Sequence, residues 1–361
     1  MSIRTLVVPR PGVLEIAETP EPPLADGRFR GETLFTGLSA GTELTWYRGT
    51  SPYFHAGWDA ELGLFDRDRP TRRFPVDRLG YMEVARVSHS RTPAVAEGAV
   101  VGMAYGHATV VHGDPVTQHV VPLPPSLDPV LGIYAAHLGP ICANGLLHAA
   151  ADAGGTELAG GVRGRLVLVV GGGAIGLLVG LLARVHGAAE VVVLDPTPQR
   201  RAAAVGLGLQ AVDDTPDVAR DLKARWRHGP GDHGADVVFQ CRGQAPALAT
   251  ALRCLRPQGA VVDLAFYTGG ADAVALGREF HHNGLSIRCA QIGRVPRGLA
   301  GSWDRRRLSH ETVMLLQDHG APIREHVLSD VVPFDDAPKV FAELSERRRT
   351  ALSVAFEVPG E

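Results

Sequence analysis

Lysine is nearly missing from this chain. Of its 36 basic residues only Lys223 and Lys339 are lysines; the rest are arginines, a bias that reads as GC-rich coding before it reads as function. Charge of one sign is also missing. With 39 acidic residues the formal net charge is −3, so no global field draws in nucleic acid or an anionic membrane. The four cysteines, Cys142, Cys241, Cys254 and Cys289, are scattered without a Cys-x-x-Cys pair, which excludes a disulfide framework and a structural zinc lobe. The opening "MSIRTLVVPRPG" has no apolar targeting core and reads as a first strand, so the expected location is cytoplasmic. Only residues 166–183, "LVLVVGGGAIGLLVGLLA", suggest a membrane span. A glycine cluster at their centre turns a buried strand into a helix instead, and no membrane partner is expected.

What is present is a change of texture. Up to about residue 140, short β-type runs ("TLVVP", "GETLFTG", "MEVARVSHS", "GAVVGMAYG", "HVVPLP") alternate with turn residues, predicting an irregular antiparallel barrel or sandwich. "CANGLLHAAADA" then has helical spacing. After it, nearly all-apolar strands ("RLVLVVG", "AEVVVLD", "ADVVFQC", "GAVVDLAF", "LSIRCAQI") alternate with helices. Apolar strands between helices predict a doubly wound parallel sheet covered on both faces. The expected division is 1–142 and 143–292, with 293–361 returning to the first domain through the strand "LSVAFEV". The fold class is α/β.

Gly171, Gly172, Gly173, Ala174, Ile175 and Gly176 form a Gly-x-Gly-x-x-Gly turn directly after a strand and at a helix start. Such a turn needs its first glycine for curvature, its second for approach to a pyrophosphate and its third for helix–strand packing. The phosphates would meet the helix N-terminus. The next strand ends in Asp195, whose carboxylate suits ribose hydroxyls and repels a 2′-phosphate; the expected cofactor is therefore NAD, with Arg200 near the adenine or ribose.

These features together with Gly37–Glu43, Gly80–Val87, "GADVVFQCRG" and "LRPQGAVVDLAFY" resemble the medium-chain dehydrogenase/reductase superfamily over nearly the whole chain. The resemblance implies a GroES-like catalytic domain, a Rossmann domain, an active site in the cleft between them, and a homodimer through the edge strand around Leu285–Cys289. Zinc alcohol dehydrogenases of this superfamily read Gly-x-Cys-Gly-Thr-Asp, then Gly-His-Glu, then a third Cys or Glu. Here Ala40 and Tyr81 replace the first two ligands and Cys142 is out of register, so no metal is expected. "SAGTE" and "GYMEV" resemble the zinc-lacking branch that includes bacteriochlorophyllide a dehydrogenase.

In the loop "FTGLSAGTELTWYRG" the resemblance assigns Thr42 a relay hydroxyl, with a turn-capping threonine as the alternative. Glu43 matches an acid that supports the missing ligand histidine. A Glu43–Tyr81 hydrogen bond is expected, either as a metal-free acid/base pair or as a structural tie. His107 falls where relatives bring a barrel residue to the cleft, with a satisfied core histidine as the alternative. His55 lies in a candidate covering loop. Asn144, Ala265 and Phe266 match positions flanking the nicotinamide, and the segment "GRVPRGLAGSWDRRRL" offers Arg294 or Arg297 to an anionic substrate. The implied activity is NAD(H)-dependent interconversion of a secondary alcohol and a ketone on a small polar or polycyclic biosynthetic intermediate. An NAD(P)H-dependent enone reductase and a non-catalytic dinucleotide-binding protein are the alternatives.

Overall fold

The computed structural model describes residues 2–360. The chain divides into two compact units, residues 1–137 with 328–361, and residues 138–327. In the first, β1 (Phe29–Leu38) is followed by α1 (Ala40–Arg48) and β2 (Glu83–Ser90). β1 and β2 pair antiparallel at the centre of a seven-stranded sheet. Strand Val354–Glu357 returns to the other edge of β1, placing Phe356 opposite Thr36. Phe334, Phe341 and Phe356 are fully buried with Leu6 and Val8, so the returning segment completes this core. Each buried phenylalanine contributes about 2–3 kcal/mol.

The second unit opens with α2 (Leu138–Asp152) and continues as β3 (Leu166–Val170), α3 (Ala174–Val185), β4 (Glu190–Leu194), β5 (Gln210–Val212), β6 (Ala235–Gln240), β7 (Leu255–Asp263), β8 (Ser286–Cys289) and α4 (Arg305–His326). The sheet order is β5-β4-β3-β6-β7-β8, and every pair is parallel. This is a doubly wound sheet whose order reverses beside β3. The four residues Val167–Val170 are fully buried because helices cover both faces.

Residues 293–327 correct the expected division: they stay with the second unit, because α4 packs on α2. Trp303 anchors this segment, 2% exposed, with its indole N–H on the Thr156 carbonyl at 2.8 Å. Asp304 caps α4 by accepting from the Arg307 amide at 2.8 Å. The chain returns to the first unit at Leu328.

Candidate active site

In the second unit the glycine turn connects β3 to α3. Gly171 has φ +104°, a backbone open to glycine at little cost. A Cβ on Gly176 would stand 1.8 Å from the Gly171 carbonyl oxygen, so only glycine fits there. A Cβ on Gly173 would meet nothing within 4 Å, which leaves open space in front of the α3 N-terminus. The first-turn amides of Ala174, Ile175 and Gly176 have no acceptor within the helix. An anionic group suits that space, and the turn fits the pyrophosphate of a dinucleotide.

Asp195, one residue past β4 and 1% exposed, is already engaged. Its Oδ2 accepts from the Gly172 amide and its Oδ1 from the Thr197 amide, both at 2.8 Å. Arg200 Nη1 lies 3.5 Å from Oδ2. The carboxylate thus ties the glycine turn to the next strand, and its remaining lone pairs are those a ribose hydroxyl would use.

Asn144 is fully buried, and its amide nitrogen faces the carbonyls of Arg294 (3.2 Å) and Gln291 (3.3 Å). It clamps the segment after β8, while Arg294 itself is exposed. Ala265 and Phe266 follow β7; the Ala265 amide donates to Asp263 Oδ1 at 2.9 Å, and Phe266 is 45% exposed. Sequence reasoning missed the polar group beside them. The Tyr267 hydroxyl donates to Asp263 Oδ2 at 2.9 Å and accepts from Gln240 Nε2 at 3.2 Å. Burial pushes the Asp263 carboxyl up, against the opposing pull of the Ala265 and Tyr267 hydrogen bonds.

In the first unit the expected loop is a helix. α1 has Ser39 at its N-cap, Glu43 in the first turn, Arg48 in the last, and Gly49 at φ +72° as the terminating residue. The Ser39 hydroxyl makes no capping bond. Instead Glu43 Oε1 accepts from the Ser39 amide at 2.7 Å, while the Tyr81 hydroxyl bonds the Ser39 hydroxyl and lies 3.3 Å from Thr42 Oγ1. The expected Glu43–Tyr81 bond is therefore replaced. Glu43 Oε2 pairs with His107 Nε2 at 2.7 Å, and His107 Nδ1 with Thr36 Oγ1 at 2.6 Å. Glu43 and His107 are 1% and 0% exposed, whereas Ser39, Thr42 and Tyr81 are partly exposed. Burial raises the Tyr81 phenol above its ordinary range; its hydrogen bonding with Ser39 and Thr42 opposes this, and the Glu43 charge adds to it. Tyr81 also packs against His137 at 4.5 Å between ring centroids. His55 is exposed at the end of the short turn Pro52–Phe54, outside this network.

The zinc that the resemblance associates with this region does not fit these side chains. Ala40 supplies no donor atom, and Tyr81 offers a phenol that burial keeps neutral in place of an imidazole. Cys142 is fully buried, its thiol on the Leu138 carbonyl at 3.3 Å and held protonated by burial. Among the described residues no three His, Cys, Asp or Glu side chains are grouped to hold a metal ion.

Residues 174–302 match the family model "Zinc-binding dehydrogenase". Over 184 residues the chain is 32% identical to D-guloside 3-dehydrogenase of Escherichia coli (strain K12), covering 50% of this chain and 51% of that protein. It thus spans about half the length of that curated relative. A zinc-binding-type dehydrogenase structure from Sinorhizobium meliloti 1021, bound to NADP, superimposes with TM-score 0.72 at 21% identity over 99% of both chains. An Escherichia coli CFT073 alcohol dehydrogenase complexed with NADH does so with TM-score 0.72 at 14% identity, again over 99% of each. The chain has the fold of the medium-chain dehydrogenases.

Within that fold the second unit carries the all-parallel Rossmann-type sheet and the first the mixed GroES-like sheet. The superimposed dehydrogenases carry NADP in one case and NADH in the other, so the fold admits either dinucleotide. Among the described residues no helix is long and apolar enough to cross a membrane.

Proposed function

We propose that this protein is an NAD(H)-dependent oxidoreductase that interconverts a secondary alcohol and a ketone without a catalytic zinc. The observation that carries the reading is the Ser39–Tyr81–Thr42 hydroxyl cluster. Tyr81 occupies one of the ligand positions that the resemblance implies are replaced and Ser39 lies next to the other, Ala40; the cluster is built from groups that hold and move a proton rather than bind a metal. When bound, the nicotinamide supplies or takes up a hydride. The chain's own task is then the proton. A phenol held neutral by burial donates to a carbonyl oxygen, and Thr42 and Ser39 orient it. The phenolate left behind is reprotonated through the partly exposed neighbouring hydroxyls; the reverse direction uses the same groups.

The open space at Gly173 and the fixed Asp195 carboxylate support NAD(H) as the cofactor. D-Guloside 3-dehydrogenase, by its name a dehydrogenase of a sugar hydroxyl, supports a polar ring alcohol as substrate. The zinc-poor motifs "SAGTE" and "GYMEV" support a place beside zinc-lacking dehydrogenases of biosynthesis. The edge strand β8, exposed at all four residues, supports a homodimer.

The test is NADH binding by fluorescence quenching, followed by product analysis on ketones, glycosides and conjugated enones. A changed alcohol with an intact alkene supports the reading. Alkene reduction shows the enone reductase instead, and no NADH binding shows a non-catalytic protein.

A further inference from the structure

We propose that His107 is a positioning residue for the Tyr81 phenol, acting from the interior of the first unit through Glu43 and Ser39. The inference rests on the functional reading above in giving the proton to Tyr81. At 0% exposure the imidazole reaches no substrate atom, and both ring nitrogens are taken. One assignment satisfies every partner: Nε2–H donates to the Glu43 carboxylate, and Nδ1 accepts from the Thr36 hydroxyl. The main chain is held on both sides, with the His107 amide on the Leu79 carbonyl at 2.8 Å and its carbonyl receiving the Leu6 amide at 3.0 Å. Phe356 meets the ring edge-on at 5.5 Å. The imidazole is therefore a fixed point.

Two routes lead from it to Tyr81. Through Glu43 it sets the Ser39 amide, and with it the N-cap of α1. Ser39 leaves its ordinary capping role unfilled and gives its hydroxyl to Tyr81, so whatever fixes Ser39 fixes the phenol's partner. The second route is steric. Gly80, directly before Tyr81, has φ +93°, and a Cβ there would stand 2.8 Å from the His107 ring. Without the imidazole, the buried Glu43 Oε2 loses its donor, leaving only the Ser39 amide on Oε1, and that wall moves.

The test compares His107→Phe, which keeps a ring and removes the donor, with His107→Gln, which restores an N–H for Glu43. Ser39→Ala isolates the last link. The chain has six tyrosines, so ζ-13C-labelled tyrosine resolves the Tyr81 resonance, assigned with Tyr81→Phe. Turnover is followed with NADH and D-xylulose as the probe ketone. His107→Phe is expected to shift the Tyr81 resonance and lower kcat about 10- to 100-fold with KM little changed. His107→Gln should recover most of both, and Ser39→Ala/His107→Phe should be no slower than Ser39→Ala.

An unmoved Tyr81 resonance, a His107→Gln as slow as His107→Phe, or additive losses in the double variant would overturn the proposal. So would loss of the pH–rate limb in His107→Phe while Tyr81→Phe retains it. If His107→Phe does not fold, the Ser39→Ala and His107→Gln pair decides. A wild type that reduces no ketone defeats the functional reading and leaves the resonance comparison to judge the positioning.

Discussion

Gly173→Ala and Gly176→Ala are the same added methyl group three residues apart, and the structure gives them opposite consequences. Gly173 sits at φ −78°, ψ −179°, a conformation open to alanine, and its Cβ would meet nothing within 4 Å. Folding stability should hold, with a thermal midpoint within about 2 °C of wild type. The methyl would instead fill the space a pyrophosphate needs, so NADH affinity should fall at least ~10-fold. Gly176 is the reverse. Its Cβ would lie 1.8 Å from the Gly171 carbonyl oxygen, a backbone atom that cannot rotate away. Relieving that contact means parting β3 from α3, at a cost of about 2–3 kcal/mol. For a domain of this size the midpoint should drop by roughly 5–10 °C. Differential scanning calorimetry and NADH fluorescence titration on both variants separate the effects. A Gly173→Ala protein that binds NADH like wild type would refute the placement of the phosphates. An unshifted midpoint for Gly176→Ala would refute the packing argument.

Glu83 is fully buried in the first unit, with Thr33 Oγ1 on one oxygen at 2.5 Å and no hydrogen-bond partner for the other, and burial pushes its carboxyl up to about 8. The folded state then keeps a proton that the unfolded state gives up near 4.5, so stability is full below 4.5 and is lost as pH rises towards 8. At about 1.4 kcal/mol per pH unit the loss is at most roughly 5 kcal/mol; Glu83→Gln should flatten the profile in urea titrations between pH 5 and 8, and an unchanged slope would count against it. Asp195→Asn keeps an acceptor for Thr197 and removes the charge facing a 2′-phosphate. NADPH affinity should rise relative to NADH by about tenfold in paired titrations, and an unchanged ratio would place discrimination elsewhere. Ile287→Arg on the exposed edge of β8 should yield a monomer by light scattering if that edge joins two copies.

Much of the second unit was legible because its signals are local. The glycine turn, the apolar run of β3 and Asp195 lie within thirty residues, and parallel strands buried on both faces leave uninterrupted apolar sequence. The α1 segment was less legible. Its glycine and threonine, at Gly41 and Thr42, suggest a loop, yet Ser39, Glu43, Arg48 and Gly49 are each a helix-end signal at the right place. Glu43's partner could not be read at all. His107 is 64 residues away, in the connection between strands where backbone bonds to Leu6 and Leu79 hold it, while Tyr81, nearer in sequence, turns to Ser39. Pairing across a sheet depends on bulges such as the one between Thr33 and Phe35, which no short motif encodes. Residues 293–327 were misassigned because α4 follows a stretch of turns. Its attachment to α2 depends on Trp303 reaching the Thr156 carbonyl, a contact between distant segments.

The central claim is that a phenol stands where a zinc would otherwise act. The measurement that bears on it most directly is ketone reduction by chelator-treated protein of verified metal content, wild type against Tyr81→Phe. The account predicts full turnover in the metal-free wild type and a loss of about 10²- to 10⁴-fold in kcat for Tyr81→Phe, with NADH affinity unchanged. Activity that returns only with added zinc, or a Tyr81→Phe protein that turns over like wild type, would contradict it.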